Sequence, residues 1–181
     1  MLFRSNLVGS ESYKDVFPQV ELQADSKSAS RWGTNFNGEY FAIGVGGALA
    51  GRGADLFIID DPHSEQEAKQ GRPDVFLPAW EWFQSGPIQR LMPGGAIIVV
   101  MTRWSKLDLT GQIINHMVKN EDAEEWEIVE FPAILESGQP LWPDFWSIEE
   151  LLAKKASLDI RYWNAQYMQN PVSEEGALIK R

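Results

Sequence analysis

Two apolar runs dominate the pattern of hydrophobic and polar positions along the chain. The first, Leu56–Ile59, has no polar interruption and ends in two carboxylates, Asp60 and Asp61. An unalternating run of this kind predicts a central parallel strand that is buried on both faces. Pro62 then prevents ladder pairing, so the strand is expected to end there. Ligands of open parallel sheets bind beyond the carboxyl ends of the strands, where both acids are expected.

The second run, Ala96–Met101, ends in Thr102 and Arg103. Between the two runs, residues 73–83 carry apolar side chains at helical spacing after a proline. Two buried strands joined by a helix of crossover length predict a βαβ unit. The carboxyl ends of its parallel strands lie side by side. Thr102 and Arg103 are therefore expected next to the two acids, within reach of the same bound ligand.

The segments before the first run give weaker signals. Residues 19–37 are polar and rich in turn formers, which is typical of a surface loop or a frayed hairpin. Residues 40–45 predict a strand. The glycines of residues 46–53 then predict a tight connection between two adjacent strands. Arg52 on this connection is a candidate contact to a nucleotide or a neighbouring subunit, with a surface salt bridge as the alternative.

The chain after the second run alternates between helical and extended patterns. Helices are predicted at residues 108–117, from residue 147 onward, where Ser147 and Glu150 form a capping box, and at residues 159–169. Residues 126–132 alternate and predict a less buried strand. His63 is expected to be exposed to solvent, because a metal site would need further ligands and His116 is the only other histidine.

Composition narrows the classes of function. The 181 residues suffice for one domain with a real core, and the absence of cysteine excludes disulfides and thiolate metal sites. The net charge is −10, and no basic patch is visible in the sequence. Proteins that grip a nucleic-acid backbone over a wide face carry such a patch, so a stand-alone DNA-binding module is disfavoured. The longest apolar stretch, near residues 95–101, is too short for a membrane span.

A buried strand that ends in two acids has a known role in nucleotide hydrolases of the P-loop class. There the first acid holds Mg²⁺, usually through water, and the second orients the attacking water. The phosphate-binding loop of that class needs Gly-x-x-x-x-Gly-Lys-Ser/Thr, and the sequence contains no Gly-Lys pair. Asp60 and Asp61 therefore match one half of such a site, and solvated capping aspartates remain the alternative.

Several motifs, in order, resemble the large terminase subunit of tailed bacteriophages. The resemblance begins with the glycine-rich connection and strand of residues 44–62. It continues with Pro93–Ala96, Met101–Trp104, Asp108–Gly111, Phe131–Ala133, Leu141–Pro143 and Trp163–Pro171. It covers about residues 4–181. Several ordered motifs are more specific than any one of them alone.

The resemblance implies an α/β fold of the P-loop NTPase (RecA/ASCE-like) type, with a mostly parallel sheet, flanking helices and an incomplete N-terminus. It implies ATP hydrolysis with Mg²⁺ as the source of energy for DNA translocation into a procapsid. Asp60 falls on the Mg²⁺-binding acid, and Asp61 falls on the catalytic carboxylate, which is commonly Glu in that family. Thr102 and Arg103 fall on the motif that couples hydrolysis to domain movement. Arg52 is the remaining candidate for nucleotide contact.

The same resemblance sets expectations for organisation and partners. Residues 1–170 would be the C-terminal part of the ATPase domain, without its Walker A part, and residues 171–181 the start of a linker to a nuclease domain. The expected partners are double-stranded DNA, the portal protein, the small terminase subunit and further copies in a homo-oligomeric ring, with no membrane. The expected location is the bacterial host cytoplasm, transiently at the procapsid portal and not in the mature virion. The isolated chain is expected to hydrolyse ATP poorly or not at all.

Two other classes of function remain open from the residues. Asp60 and Asp61, together with Asp55, are candidate ligands of two metal ions for phosphodiester hydrolysis. Alternatively, the chain is a non-catalytic module that uses its tryptophans, eight in number, for contact with another subunit.

Overall fold

The computed structural model describes residues 7–28, 30–49, 51–70 and 72–172. The chain divides into two compact units, Met1–Ala48 and Leu49–Arg181. The described residues have a mixed α/β architecture with one antiparallel sheet of three strands and one parallel sheet of two. The expected linker at residues 171–181 falls almost entirely outside the described residues. Among the described helices, none is long and apolar enough to cross a bilayer.

The first unit contains a short helix and a meander of three strands. The helix α1 is Glu11–Val16, and the Ser10 side chain caps it by accepting a hydrogen bond from the Tyr13 N–H. The strands β1, β2 and β3 pair antiparallel in sequence order, and they are Leu22–Lys27, Arg31–Thr34 and Glu39–Phe41. The hairpin interpretation of residues 19–37 is thus confirmed. The strand predicted at residues 40–45 begins earlier and ends at Phe41.

The expectation of a tight connection between two adjacent strands is wrong. The strand before the glycine-rich connection, β3, pairs with β2. The strand after it, β4 (Ala54–Asp60), belongs to the second sheet and pairs in parallel with a strand later in the chain. A parallel ladder needs a long crossover, and an antiparallel neighbour needs only a short turn. Since β3 and β4 belong to different sheets, the glycine-rich connection does not join two neighbouring strands of one sheet.

The second unit is built on the predicted βαβ arrangement. Strand β5 (Leu91–Val100) runs parallel to β4. The crossover contains three helices, α2, α3 and α4, and a 3₁₀ turn at Pro73–Phe76. The helices are Glu65–Ala68, Leu77–Ser85 and Pro87–Arg90. The βαβ prediction is therefore confirmed, with β5 starting five residues earlier than the sequence pattern indicated.

The two faces of the parallel sheet differ in burial. One face packs against the helices through Ile59, which is 4% exposed, and Phe83, Leu109 and Ile113 complete that core cluster. The other face leaves large apolar side chains exposed, at 51% for Leu56, 61% for Ile58, 47% for Ile98 and 54% for Val100. The prediction of a strand buried on both faces is therefore wrong. Side chains alternate across a strand, and the crossover helices cover one side of the sheet.

Helix α5 (Leu109–Lys119) follows the sheet and confirms the helix predicted at residues 108–117. The strand predicted at residues 126–132 is wrong, because these residues pair with no strand. Trp126 packs against the core, and its backbone N–H donates to the Met117 sulfur. Val129 and Phe131, in contrast, are exposed. An alternating pattern forms a strand only where a neighbouring edge accepts its backbone groups.

Two further helices and an irregular turn lie in the last described part of the chain, residues 147–172. Helix α6 is Ile148–Ser157, and the predicted capping box between Ser147 and Glu150 is present. Helix α7 is Ile160–Tyr162, and a π-helical turn, Trp163–Tyr167, continues it. Leu151 and Trp163 are buried, and the Trp163 and Tyr167 rings stack at 4.8 Å between centroids. The helical prediction for residues 159–169 is confirmed up to Tyr167.

Candidate functional site at the carboxyl ends of the parallel strands

The carboxyl ends of β4 and β5 meet at one edge of the parallel sheet. Asp60 lies opposite Val100 in the ladder, and the Asp61 N–H donates to the Val100 carbonyl oxygen at 2.9 Å. The next contact is made by a side chain: the Thr102 N–H donates to Asp61 Oδ1 at 3.1 Å. The expectation that Asp61 and Thr102 lie side by side is confirmed. The end of β4 contributes the two carboxylates, and the end of β5 contributes the backbone N–H that donates to one of them.

Asp61 has an unusual backbone conformation. Its φ is 43°, in the left-handed region that few residues other than glycine adopt. Aspartate is among the residues that tolerate this region, and Pro62, which follows it, is buried. The turn carries the chain away from the ladder and leaves Asp60 and Asp61 exposed. Backbone conformations of this kind concentrate at functional sites, and the cost is met by surrounding contacts such as the Thr102 hydrogen bond.

Asp108 organises the loop that follows Thr102. Its carboxylate is fully buried and accepts hydrogen bonds from the Arg103 Nε at 3.0 Å, the Trp104 N–H at 2.9 Å and the Ser105 N–H at 3.1 Å. It also caps α5 by accepting from the Gly111 N–H at 2.8 Å. Each contact satisfies a donor in or next to the 102–108 loop. The sequence analysis placed Asp108 at a helix start and missed this role, although an acid directly before an apolar helical pattern is the usual signal of a cap.

The Arg103 guanidinium lies inside this loop. Its side chain is 12% exposed and is paired with Asp108 at 3.0 Å, and its Nη2 donates to the Ser105 carbonyl oxygen at 3.3 Å. The sequence analysis expected Arg103 to face the same ligand as the acids. The structure places its described polar contacts on Asp108 and Ser105.

His63 is buried, and the expectation that it is exposed is wrong. Its side chain is 5% exposed, its Nε2 accepts a hydrogen bond from the Leu109 N–H at 2.9 Å, and its ring meets Phe76 edge-on. Burial lowers the pKa of His63, and the nearby carboxylates of Asp108 and Glu67 oppose this shift. No local pattern signals this contact, because Leu109 is 46 positions further along the chain.

Two of the candidate residues lie at the opposite end of β4. Arg52 precedes the strand, Asp55 is its second residue, and Asp60 is its last. At about 3.3 Å of rise per residue, Asp55 is roughly 16 Å from Asp60 along the strand, and Arg52 is farther still. The structure thus brings Asp60, Asp61 and Thr102 together. It does not bring Arg52 or Asp55 to that edge within one chain.

The donor set at this edge consists of oxygen atoms. Asp60 and Asp61 supply carboxylates, the ligand type that Mg²⁺ prefers. Within the ranges that the structure describes, no group of three or more acidic or histidine side chains is arranged to hold a metal ion. Mg²⁺ commonly keeps several waters and binds through one or two carboxylates together with substrate phosphates. The residues present fit that mode of binding and not an all-protein cage.

The two acids are exposed at the sheet edge, and they do not line either of two cavities in the second unit. A cavity of about 280 Å³ lies between α3 and α5, and its lining includes Trp80 and His116. A groove of about 790 Å³ runs beside α5, and its lining includes Arg103 and Gly111. Neither is lined by Asp60, Asp61 or Thr102. Among the described residues, the candidate site is formed by the ends of β4 and β5, where Asp60 and Asp61 are exposed.

No protein-family model and no curated protein matches this sequence. The chemistry of the edge is accordingly interpreted from its own geometry. Two carboxylates and a hydrogen-bonded threonine turn at the ends of parallel strands suit a phosphate ester held with a divalent cation.

Proposed function

We propose that the chain is part of the ATPase domain of a large terminase subunit, the motor that packages DNA into viral procapsids. One observation carries the proposal: Asp61, the second acid after β4, accepts a hydrogen bond from Thr102 at the end of β5. In a nucleotide hydrolase these positions belong to the acid that orients water and to the segment that senses the γ-phosphate. The ordered motifs of the sequence give the same assignment.

In this proposal the two acids have different tasks. Asp60 would hold Mg²⁺, and the ion would supply neutralisation of charge on the phosphates of a bound nucleotide. Asp61 orients the attacking water with the carboxylate oxygen that Thr102 does not occupy. The Thr102 N–H keeps the carboxylate in one rotamer, so the water is positioned before the reaction begins. Such positioning is the main contribution that a protein makes to phosphoryl transfer.

The same hydrogen bond provides a route for coupling. A change at the γ-phosphate would alter what Asp61 binds, and Asp61 is bonded directly to the start of the 102–108 loop. That loop ends at the cap of α5, so a movement of Thr102 would be passed to a helix. We assign Thr102 to the coupling step for this reason. Arg103, held by Asp108, would maintain the loop and not bind phosphate itself.

The exposed face of the sheet supports a larger domain. Parallel sheets are almost always covered on both faces, yet Ile58 and Val100 leave more than half of their surface open. A P-loop NTPase sheet with further strands and helices would cover this face. The phosphate-binding loop would then be supplied by a segment outside this sequence, which has no Gly-Lys pair. Double-stranded DNA, the portal protein, the small terminase subunit and a homo-oligomeric ring are the partners that the proposal assigns to the whole motor.

Paramagnetic relaxation tests the nucleotide site directly. Mn²⁺ substitutes for Mg²⁺ and broadens the NMR signals of nearby nuclei, so it is added to the chain with and without a non-hydrolysable ATP analogue. The expected result is broadening at the Asp61 and Thr102 amides that needs the nucleotide and disappears in Asp60→Asn. Asp55→Asn, at the other end of β4, is the matched control and should keep the effect. Nucleotide-independent broadening, or nucleotide-dependent broadening that Asp60→Asn leaves unchanged, would contradict the proposal.

Metal-dependent DNA cleavage is the alternative chemistry for the same acids. It would call for further ligands near Asp60, and Asp55 lies at the wrong end of the strand. Incubation of the chain with plasmid DNA and Mg²⁺ separates the two functions. Nicking that Asp60→Asn abolishes would favour a phosphodiesterase over the motor ATPase. If Asp60→Asn and Asp61→Asn leave DNA packaging by the whole motor unaffected, the chain would act only in subunit contact.

A further inference from the structure

Two loops leave the carboxyl ends of the parallel strands, residues 61–63 and residues 102–108. They are joined at both ends. At the sheet the link is the Thr102 N–H to Asp61 bond, and at α5 it is the Leu109 N–H to His63 Nε2 bond at 2.9 Å. Between these links, the Asp108 carboxylate accepts hydrogen bonds from other residues of the second loop. We infer that Asp108 and His63 are positioning residues that hold Asp61 and Thr102 in contact.

Asp108 fixes the path of the chain after Thr102. Its buried carboxylate binds the side chain of Arg103 and the backbone N–H groups of Trp104 and Ser105, so consecutive residues are held by one anion. Hydrogen bonds to a charged acceptor are stronger than neutral ones. The anion also lies at the N-terminus of α5, where the helix dipole favours negative charge. The start of the 102–108 loop is thus attached to a rigid helix.

His63 fixes the path of the chain after Asp61. The imidazole lies two residues beyond the acid and is held between Phe76 and the first turn of α5. The Leu109 N–H is one of the helix-terminal donors that no carbonyl of the helix can accept, and His63 supplies the missing acceptor. Asp108 and Leu109 are neighbours in sequence. The 102–108 loop therefore ends at the first turn of α5, and the 61–63 loop is hydrogen-bonded to that same turn. The Asp61 to Thr102 distance is therefore set from α5.

Two variants separate this role from general stability. Asp108→Asn keeps the shape of the side chain and removes its charge, and His63→Leu keeps an apolar fill and removes the acceptor. Asp159→Asn is the matched control, because Asp159 is also an N-cap aspartate paired with an arginine, Arg161, but on an exposed helix. Amide hydrogen exchange of the full chain reports the contact, with the Thr102 amide as the probe and the amides of Ala96 and Ile98 in the ladder as internal references.

The expected result is about a tenfold loss of protection at Thr102 in each variant, which corresponds to weakening of one local contact. The Ala96 and Ile98 amides should be unchanged, and Asp159→Asn should alter none of the three. A uniform loss of protection across the ladder, unfolding of both variants, or unchanged exchange at Thr102 would overturn the inference. A role in general stability alone would produce the uniform loss.

The importance of these residues for hydrolysis rests on the proposed function, and the two ideas fail separately. The exchange experiment uses no nucleotide, so its result stands whether or not the chain binds ATP. The Mn²⁺ and nucleotide experiment, repeated on Asp108→Asn, should show weaker broadening at Thr102 relative to Asp61. Loss of Thr102 protection in both variants would support the positioning role even if the Mn²⁺ experiment contradicted the ATPase proposal. Nucleotide binding at this edge with Thr102 protection unaltered in both variants would support the ATPase proposal and overturn the positioning role.

Discussion

Thr102 and Asp61, 41 positions apart in sequence, are joined by a hydrogen bond of 3.1 Å from the Thr102 N–H to the Asp61 carboxylate. The bond continues the parallel ladder by one step, since the Asp61 N–H donates to the Val100 carbonyl oxygen just before it. It converts two strand ends into one structural unit. A carboxylate held by a backbone donor in this way is oriented without the help of a second side chain.

Removal of the buried isoleucine of β4 should cost far more than removal of its exposed neighbour. Ile59 is 4% exposed and lies in the core cluster, whereas Ile58 is 61% exposed on the uncovered face. Ile59→Ala should lower the free energy of unfolding by about 2–5 kcal/mol. Ile58→Ala should lower it by about 1 kcal/mol or less, the range of strand propensity. Urea denaturation of both variants measures the difference, and equal losses would contradict the assignment of the two faces.

Gly111 should tolerate no side chain. A Cβ at this position would overlap the carbonyl of Lys106 and lie 3.2 Å from the Arg103 Nη2. Gly111→Ala should therefore destabilise the chain by about 1–3 kcal/mol, as overpacking typically does. Gly44→Ala is the matched control, because a Cβ there meets nothing within 4 Å. Thermal denaturation compares them, and a Gly111→Ala chain as stable as Gly44→Ala would show that the 102–108 loop can move away.

Stability should fall at acid pH through His63. Burial lowers its pKa in the folded chain, so between the folded value and the unfolded value of about 6.5 the unfolded chain binds more protons. The contribution of His63 to the free energy of unfolding is therefore complete above about pH 6.5, and it is lost as the pH falls through the pKa of His63 in the folded chain. His63→Gln should flatten this part of the curve. Unfolding free energies measured from pH 8 to 5 for both chains give the difference, and parallel curves would exclude His63 as its source.

ATP hydrolysis by the isolated chain should be slow or undetectable. The sequence contains no Gly-Lys pair to cradle the phosphates, so the acids at the sheet edge lack the main source of phosphate binding. A coupled assay for ADP release measures the rate, with Asp61→Asn as the control for contaminating activity. Turnover that disappears in Asp61→Asn would show that the chain binds ATP by other residues. That result would refute the expectation that a second segment is required.

The sheet edge could be predicted because its elements are local. Leu56–Ile59 and the run that ends at Met101 are continuous and β-branched, and right-handed parallel crossovers constrain how two such strands pair. The juxtaposition of Asp61 and Thr102 follows from those two facts. The strand expected at residues 126–132 was predicted by the same kind of pattern and does not form. An alternating pattern predicts which side chains share a face, but it does not predict whether the edge of a neighbouring strand is available for pairing.

His63 and Asp108 show where the sequence was insufficient. Each is an ordinary polar residue beside a turn, and each is buried in the folded chain. His63 accepts from Leu109, 46 positions away, whereas Asp108 accepts from donors of its own loop and helix. A buried polar group must be hydrogen-bonded, but the identity of the bonded partner depends on the tertiary fold. The same limit applies to Arg103, whose pairing with Asp108 directs its described polar contacts into the loop.

The sequence by itself determined the two parallel strands, the crossover between them and the capped helices, since each depends on side-chain periodicity and on residues within a few positions. Only the tertiary structure decided that one face of the sheet is exposed, that His63 accepts from Leu109, and that Arg103 is paired inward. The first two outcomes depend on contacts between segments dozens of residues apart, and the third depends on how the loop between Arg103 and Asp108 folds; hydrophobic pattern encodes neither. The physical reason is that burial is a property of the neighbours a residue acquires on folding and not of the residue alone.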